Sequence, residues 1–161
     1  MSAVKIRAAQ PADAPDIAAY HRRCFESTYA GHIARGELQI PDIDLVRAQF
    51  ERWFVPGSEF VTRVADVDGR PVAHVTVSAN LLVHLFVDPS RQGTGLGRRL
   101  LALGESILAE AGHSAFELHA RVENVAAIGF YQSAGWAMTG HRLQTEEHGI
   151  TYEEHVLVKG A

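Results

Sequence analysis

The chain has 161 residues, of which 47% are hydrophobic and 21% are charged, and its formal net charge is −4 with an isoelectric point near 6.1. This composition is that of one folded globular domain, and it excludes a disordered or fibrous protein. The negative net charge gives no overall attraction to nucleic acid or to anionic lipid, so neither is an expected partner.

The first third of the chain is predicted to contain one strand and two helices. Residues 4–8 form the strand, and a helix follows because Ile17, Tyr20 and Cys24 recur at helical spacing. Residues 27–56 begin with glycines and a proline and continue with an amphipathic stretch, which predicts a loop and then the second helix.

The middle of the chain has the alternating pattern of β-strands. Residues 60–67 and 72–79 are β-rich runs on either side of a tight turn at 68–71, so they predict an antiparallel hairpin. Residues 81–87 form a third and more apolar run, which is typical of a central strand covered on both faces.

The second half of the chain alternates helices and strands. A helix begins at Leu96, where leucine and isoleucine recur every three or four residues, and Gly112 is placed to end it. The remaining predicted elements are a strand at 115–122, a short helix at 125–133 and a strand pair at 136–143 and 151–158. The pattern favours a single domain over residues 1–161.

Residues 88–99 join the central strand to this helix through a glycine-rich turn. Gly93, Gly95 and Gly97 stand at alternate positions, so the backbone can bend sharply and an anion can approach the main chain. The first N–H groups of the helix and its dipole point to the same place. Three arginines add donors suited to phosphate, namely Arg91, Arg98 and Arg99. The turn therefore predicts a polyphosphate site.

Two common phosphate-binding loops fit this turn poorly. A P-loop requires Lys and then Ser or Thr after its last glycine, where this chain has Arg98 and Arg99. A dinucleotide fingerprint requires a glycine at position 98 and an acidic residue at the end of the next strand, whereas Glu117 lies inside that strand. A plain glycine turn without a ligand is the remaining alternative.

The turn resembles the cofactor loop of the GNAT acyltransferases. Residues 92–97, Gln-Gly-Thr-Gly-Leu-Gly, match that family's Q/R-x-x-G-x-G/A loop, which holds the pyrophosphate of coenzyme A. Residues 85–89 look like the end of the family's central strand. A later segment is similar to the family's N-x-x-A-I-x-F-Y-x-x-x-G-F pattern through Asn124, Ala127, Ile128, Phe130, Tyr131, Gly135 and Trp136, the last in place of Phe. The resemblance is detailed from about residue 60 onward and weak before it.

The resemblance implies direct attack of an uncharged amine on the thioester of acetyl-CoA. Tyr131 corresponds to the tyrosine that protonates the departing sulfur, with an aromatic core position as the alternative. Asn124 corresponds to an asparagine near the pantetheine arm and can equally cap the helix that follows it. The implied cofactor-binding residues are Leu85, Phe86, Val87, Gln92, Gly93, Thr94, Gly95, Leu96, Gly97, Arg98, Asn124 and Tyr131, with Leu85 and Val87 acting through their main chain.

The sequence defines the general base and the pocket for the attacking amine less well. Family members place the general base at various positions. His84 is the first candidate, since an imidazole with a reference pKa of about 6.5 can take a proton at neutral pH. Strand alternation would alternatively turn His84 away from the thioester and into the core. Further candidates for the base are Glu26, His74 and His119. Phe25, Tyr29 and His32 are expected to line the acceptor pocket, with ordinary helix packing as the alternative.

The single cysteine, the histidines and the apolar segments indicate which partners and which cellular location to expect. Cys24 is the single cysteine, so it forms no internal disulfide, and the expected reaction does not need it as a nucleophile. The nine histidines show no metal-binding spacing, so no metal is expected. No signal-peptide core or membrane-spanning run is found, which favours the cytoplasm. A Glu-Glu-His triplet at 146–148 recurs at 153–155, and we interpret this one echo as coincidence.

Together these features predict a three-layer α/β (α+β) fold of the GNAT type. Its mixed and mostly antiparallel sheet of six or seven strands is expected to be splayed near the centre, where coenzyme A enters. The expected activity is N-acetyl transfer from acetyl-CoA to an amine of a small molecule, peptide or protein, in a ternary complex. The alternatives are an inactive acyl-CoA-binding sensor and a Rossmann-like nucleotide-binding enzyme. The acceptor and the acyl chain length do not follow from the sequence, and both a monomer and a homodimer are compatible with it.

Overall fold

The protein is described here by a computed structural model that covers residues 2–161. The strands are β1 (Lys5–Ala8), β2 (Val61–Val67), β3 (Arg70–Ser78), β4 (Leu81–Val87), β5 (Ala115–Arg121), β6 (Ala137–Glu147) and β7 (Ile150–Gly160). The helices are α1 (Ala14–Thr28), α2 (Ala30–Ala34), α3 (Ile43–Trp53), α4 (Leu96–Glu110) and α5 (Val125–Ser133). Within residues 2–161, no helix has the length and apolar character needed to cross a membrane.

The seven strands form one sheet in the order β1-β2-β3-β4-β5-β7-β6, with helices on both faces. On one face, α1 and α3 bury Tyr20 and Phe50 against the sheet. On the other face, α4 buries Leu100 and Leu108, and α5 packs beside it. The predicted three-layer architecture with one sheet is confirmed.

The sheet is antiparallel except at its centre. Of its six neighbouring strand pairs, five are antiparallel and only β4–β5 is parallel. This topology excludes the doubly wound parallel sheet that a Rossmann-like enzyme requires. The β4–β5 ladder contains only the pairs Leu81↔Glu117 and Leu82↔Leu118, after which the strands separate. The predicted splay of the sheet is therefore present, and we call the gap beyond Leu82 the central split.

The hairpin β2–β3 is tighter than the sequence predicted. Val67 pairs with Arg70, so Asp68 and Gly69 alone form the loop, with φ angles of 54° and 82°. Two positive φ angles are typical of a type I′ turn, whose twist matches that of the strands. As a result β3 begins at Arg70 rather than at residue 72.

Three other predictions of local structure need correction. Residues 27–56 hold two helices rather than one, because α2 is a five-residue helix too short to show a period. Strand β6 ends at Glu147 rather than at residue 143. Strand β4 is not covered on both faces along its length, since Leu82 is its one buried residue among the seven that the structure describes.

Helix α4 lies unusually close to the sheet at Gly104. A Cβ atom at this position would lie 2.9 Å from Cγ2 of Val75 and 3.1 Å from Cδ1 of Leu82. Real Cβ atoms do not come so close to core side chains, so only glycine permits this distance between α4 and the strands. The contact holds the middle of α4 against β3 and β4.

Candidate functional site

A cavity of about 850 Å³ opens at the central split. Its walls come from β4 and β5, from α1, from the turn before α4, from α5 and from the far end of the β6–β7 hairpin. The volume lies within the range of small-molecule and cofactor sites. Past Leu82, the main-chain groups of β4 that point towards β5 have no strand partner, so they are available to a ligand in the cavity.

The glycine turn forms one end of this cavity. Gly93 and Gly95 have φ angles of 77° and 85°, which residues with a side chain rarely adopt. Gly95 is the N-cap residue of α4 and has no side chain to accept the first N–H groups of the helix. The first main-chain bond of the helix runs from the Arg99 N–H to the Gly95 carbonyl at 3.1 Å. The preceding N–H groups, from Leu96 to Arg98, are therefore positioned for an anion such as pyrophosphate.

Side chains of the turn hold it in place. Nε2 of Gln92 donates to the Val87 carbonyl at 3.1 Å, and Oγ1 of Thr94 donates to the Arg91 carbonyl at 2.7 Å. A Cβ atom at Gly97 would lie 3.8 Å from both Phe130 and Val87, so α4 begins in close contact with β4 and α5. The turn therefore keeps its shape without a ligand.

Most residues predicted to bind the cofactor line the cavity. They are Leu85, Phe86, Val87, Gln92, Gly93, Gly95, Gly97, Arg98, Asn124 and Tyr131. Arg98 is held at α5 by a 2.9 Å bond from Nη2 to Oγ of Ser133. Thr94 and Leu96 lie instead on the other side of the turn, beside a smaller cavity of about 210 Å³. These two residues can contribute to the main cavity only through the main chain.

A bulge in β4 decides where His84 points. The β3–β4 register shifts after the pair Thr76↔His84, because the next pair is Val77↔Leu82 and Val83 is left over. The bulge reverses the alternation of side chains. Leu82 and Leu85 therefore both face α4, while His84 contacts the rings of Phe86 and Trp53 on the α1 and α3 side.

His84 is the end of a buried hydrogen-bonded chain. The hydroxyl of Tyr20 is hydrogen-bonded to Nδ1 of His74, and Nε2 of His74 lies 3.4 Å from Nδ1 of His84. Tyr20 is fully buried, so its O–H donates to His74, and His74 in turn donates from Nε2. This order leaves the proton of neutral His84 on Nε2. Burial lowers the pKa of His84 to about 3, with a smaller contribution from His148.

His119 faces the same cavity from β5, on the opposite side of the central split. Its Nε2 lies 2.7 Å from Oε2 of Glu117. Because a carboxylate only accepts, Nε2 carries the proton and Nδ1 is left as an acceptor. Of the other bases considered from sequence, Glu26 is exposed and paired with Arg22 at 2.9 Å, and His74 is buried behind His84. Neither of them lines the cavity.

Tyr131 projects from α5 into the core and the cavity. Its ring packs edge-on against Phe130 and Trp136. Burial raises the pKa of Tyr131 above its usual value, and the proximity of Tyr29 adds to the shift. The phenol is therefore protonated at neutral pH. Within residues 2–161 its hydroxyl has no hydrogen-bond partner among the side-chain bonds, so it is available to a ligand.

Asn124 and two of the three predicted acceptor residues line the cavity. Oδ1 of Asn124 accepts the Ala127 N–H at 3.1 Å, so the predicted capping of α5 is confirmed. Phe25 and Tyr29 both line the cavity, with ring centroids 4.7 Å apart. His32 does not line it, because Glu37 holds its ring at 2.6 Å on the outer side of α2.

Cys24 supports the structure beside the cavity. Its Sγ donates to the Val87 carbonyl at 3.0 Å, which fixes α1 against the end of β4. Burial raises the pKa of the Cys24 thiol to about 12, and the Asp88 charge contributes to the shift. The thiol is therefore protonated at neutral pH and is a poor nucleophile.

Sequence reasoning missed the residues at the far end of the cavity. They are Gln49, Trp53, Arg121, Thr145, Glu147, His148, Tyr152 and Glu154. Nε2 of His148 lies 2.8 Å from Oε1 of Gln49, so the β6–β7 turn contacts α3 and closes this end. The only sequence signal for them was the repeated Glu-Glu-His triplet, since Glu147, His148 and Glu154 belong to its two copies.

Comparison with known proteins agrees with this site. The model of the acetyltransferase (GNAT) family matches residues 15–136, and the chain belongs to that family. A mycothiol acetyltransferase of Clavibacter sepedonicus is 36% identical over 129 residues, which are 77% of this chain and 40% of that protein. The chain thus spans well under half the length of that relative.

Two further proteins are similar over nearly the whole chain. The peptidyl-lysine N-acetyltransferase YjaB of Escherichia coli is 27% identical over 149 residues, or 92% of each chain. Its solution structure has a TM-score of 0.74 and covers 99% of both chains. YncA of Salmonella typhimurium, solved with acetyl-CoA, has a TM-score of 0.69 at 20% identity, covering 99% of this chain and 94% of that one. The latter likeness shows a common fold.

Proposed function

We propose that the protein transfers an acetyl group from acetyl-CoA to a primary amine by direct attack in a ternary complex. The observation that carries the proposal is the cavity at the central split, which joins an anion-binding turn to Tyr131 and to two imidazoles. Membership of the acetyltransferase family and the acetyl-CoA complex of YncA support it. The names of the relatives give a small molecule or a peptide lysine as possible acceptors. The chain acts as one domain, and we place the reaction in the cytoplasm.

The chain's own groups have three tasks in this reaction. The N–H groups at the start of α4 bind the diphosphate, and the unpaired edge of β4 binds the pantetheine arm. The cofactor supplies an acyl carbon activated as a thioester. Tyr131 donates its proton to the departing sulfur, because its phenol is protonated and lines the cavity.

The attacking amine must lose a proton, and two imidazoles line the cavity, His84 from β4 and His119 from β5. We favour His119 as the acceptor of this proton, because its Nδ1 is unprotonated. Glu117 orients the ring through Nε2 and stabilises the imidazolium that forms. His84 keeps a proton on Nε2 and can donate a hydrogen bond to the acceptor. The hypothesis that His84 itself takes the proton is tested by the same experiment.

Replacement of His119 by Gln is expected to lower kcat/KM by about 100-fold at neutral pH, because no group is then left to take the proton of the amine. The pH–rate profile of each variant is compared with that of the wild-type protein. His84→Gln is expected to raise the KM of the acceptor with the shape of the profile unchanged. The reason is that His84, whose pKa is about 3, stays neutral throughout pH 5 to 9. Initial rates with both variants over that pH range provide the measurement.

The two variants serve as controls for each other, because each replaces one imidazole beside the same cavity. A loss of about 100-fold in kcat/KM in His84→Gln, with wild-type rates in His119→Gln, would assign the proton transfer to His84. Glu117→Gln removes the orienting carboxylate and should reproduce part of the His119→Gln defect.

The activity itself is tested by release of free thiol from acetyl-CoA with amines, polyamines, amino acids and lysine peptides. At least one acceptor is expected to give turnover. Acetyl-CoA at 100 times its dissociation constant should add about 2.7 kcal/mol of stability, whereas NAD should add none. Stabilisation by acetyl-CoA without any acetylated amine would favour the sensor, and stabilisation by NAD alone would refute the proposal.

A further inference from the structure

The acceptor end of the cavity contains an arginine that no protein group satisfies. Nη1 of Arg121 is buried and has no hydrogen-bond partner among residues 2–161. Arg121 lies at the end of β5 and lines the cavity. A buried charged donor without an acceptor costs several kcal/mol in order of magnitude, so it marks a place where a ligand can supply the acceptor.

Three aromatic rings hold the guanidinium of Arg121. Its central carbon lies 3.7 Å from the centroid of the Tyr152 ring, 5.0 Å from that of Phe25 and 5.7 Å from that of Tyr29. Ring faces attract the cation but cannot accept the N–H groups that lie in the guanidinium plane. The side chain is therefore fixed in position, while its Nη1 has no hydrogen-bond acceptor among residues 2–161.

The two carboxylates that line the cavity near Arg121 are bound to other groups. Glu154 is opposite Arg121 in the β5–β7 ladder, but its Oε1 accepts the Thr145 hydroxyl at 2.8 Å. Oε2 of Glu147 accepts the Tyr152 hydroxyl at 2.8 Å. Within the described chain, neither carboxylate forms an ion pair with Arg121. The guanidinium is thus left for something that enters the cavity.

The charges around Arg121 restrict what it binds. Glu147 and Glu154 also line the cavity, so a doubly charged phosphate would meet two negative charges there. A singly charged carboxylate matches the forked donors of arginine and brings less repulsion. The same two glutamates favour a positively charged group elsewhere on the ligand. Tyr29 contacts Arg121, and both residues line the same cavity as Tyr131, so a bound carboxylate would share the cavity with the reacting centre.

We infer that the acceptor is an amino acid or a similar small amine that carries a carboxylate, and that Arg121 binds this carboxylate. The inference rests on the proposed acetyl transfer and names its substrate class. Arg121 acts as a specificity-determining residue in this reaction. It is not required for the chemistry of acetyl transfer itself.

The test compares matched acceptors by thiol release from acetyl-CoA. The series contains α- and β-amino acids, their methyl esters, the corresponding amines without the carboxylate, and an aminoalkyl phosphonate. Wild-type protein is expected to use the acids with a kcat/KM about 10- to 100-fold above that of the esters and plain amines. Arg121→Met should lower kcat/KM for the acids by about the same factor and thereby remove most of their advantage over the esters and amines. Arg121→Lys should retain part of the preference.

Arg142→Gln is the matched control, since Arg142 is an exposed arginine paired with Glu153 and does not line the cavity. It should behave as wild type with every acceptor. Equal use of acids and esters by the wild-type protein would overturn the inference while leaving acetyl transfer intact. A preference for the phosphonate would overturn the choice of a carboxylate. If no amine in the series gave thiol release but a polyamine or a lysine peptide did, the inference would fall and the proposed function would stand. If none of these acceptors gave thiol release, both would fall. Because the wild-type comparison needs no variant, misfolding of Arg121→Met would not affect the result.

Discussion

Gly95→Glu should abolish binding of acetyl-CoA, with affinity reduced by about 100-fold or more. The φ angle of Gly95 is 85°, so any side chain strains the turn, and a carboxylate at the N-cap would occupy the place of the diphosphate. The carboxylate would also accept hydrogen bonds from the N–H groups that bind the ligand. Titration of the variant with acetyl-CoA, by calorimetry or by thermal shift, gives the affinity directly.

Gly112→Glu is the control for Gly95→Glu. Gly112 has a φ angle of 95° and follows the other end of the same helix. Its replacement by Glu therefore introduces comparable backbone strain and the same charge. The 15 residues of α4 separate the two sites by roughly 20 Å. Gly112→Glu should therefore lose stability but bind acetyl-CoA normally, and Gly95→Ala should show the effect of strain without charge. Wild-type affinity in Gly95→Glu would contradict the placement of the diphosphate at this turn.

Tyr131→Phe should lower kcat by about 100-fold and change the affinity for acetyl-CoA by less than about twofold. The substitution removes the one proton that this residue can give to the sulfur, and it keeps the ring that packs against Phe130 and Trp136. The raised pKa of Tyr131 keeps the wild-type phenol protonated across pH 5 to 9, so the defect should be equal throughout that range. Single-turnover rates and cofactor titration separate the two parameters.

The stability of Tyr131→Phe is the control for its kinetics. Because the hydroxyl makes no side-chain hydrogen bond within residues 2–161, the variant should melt within a few degrees of wild type. A variant with full kcat and normal melting would remove Tyr131 from the mechanism. A variant with a large fall in melting temperature would instead indicate a structural role.

The cofactor half of the site could be predicted because its parts are contiguous in the chain. The turn from Gln92 to Arg98 directly follows β4 and directly precedes α4, so spacing alone indicates an anion site. Asn124 and Tyr131 lie on one short helix. Local rules for glycine and helix ends were sufficient for the turn, whereas Asn124 and Tyr131 were singled out through the resemblance to the GNAT acyltransferases.

The other end of the cavity could not be predicted beyond Phe25 and Tyr29, because distant segments build it. Arg121 meets Glu154 only across the β5–β7 ladder, and Thr145 meets Tyr152 only across the β6–β7 ladder. No local pattern gives such pairings. The direction of the His84 side chain could not be predicted either, because the extra residue in the bulge at Val83 reverses the face that simple alternation assigns. Gly104 could be recognised only from its distance to Val75.

The separation of β4 from β5 also affects how the protein behaves with other chains. Strands with unbonded main-chain groups normally lie at the margin of a sheet, where they can recruit a strand from another molecule and start aggregation. In this protein such groups lie in the interior, along a cavity of about 850 Å³. A slender amide-bearing ligand can pair with them inside the cavity, between two strands of the same sheet. The interruption therefore provides strand-like recognition of a small molecule without the hazard that exposed strands usually bring.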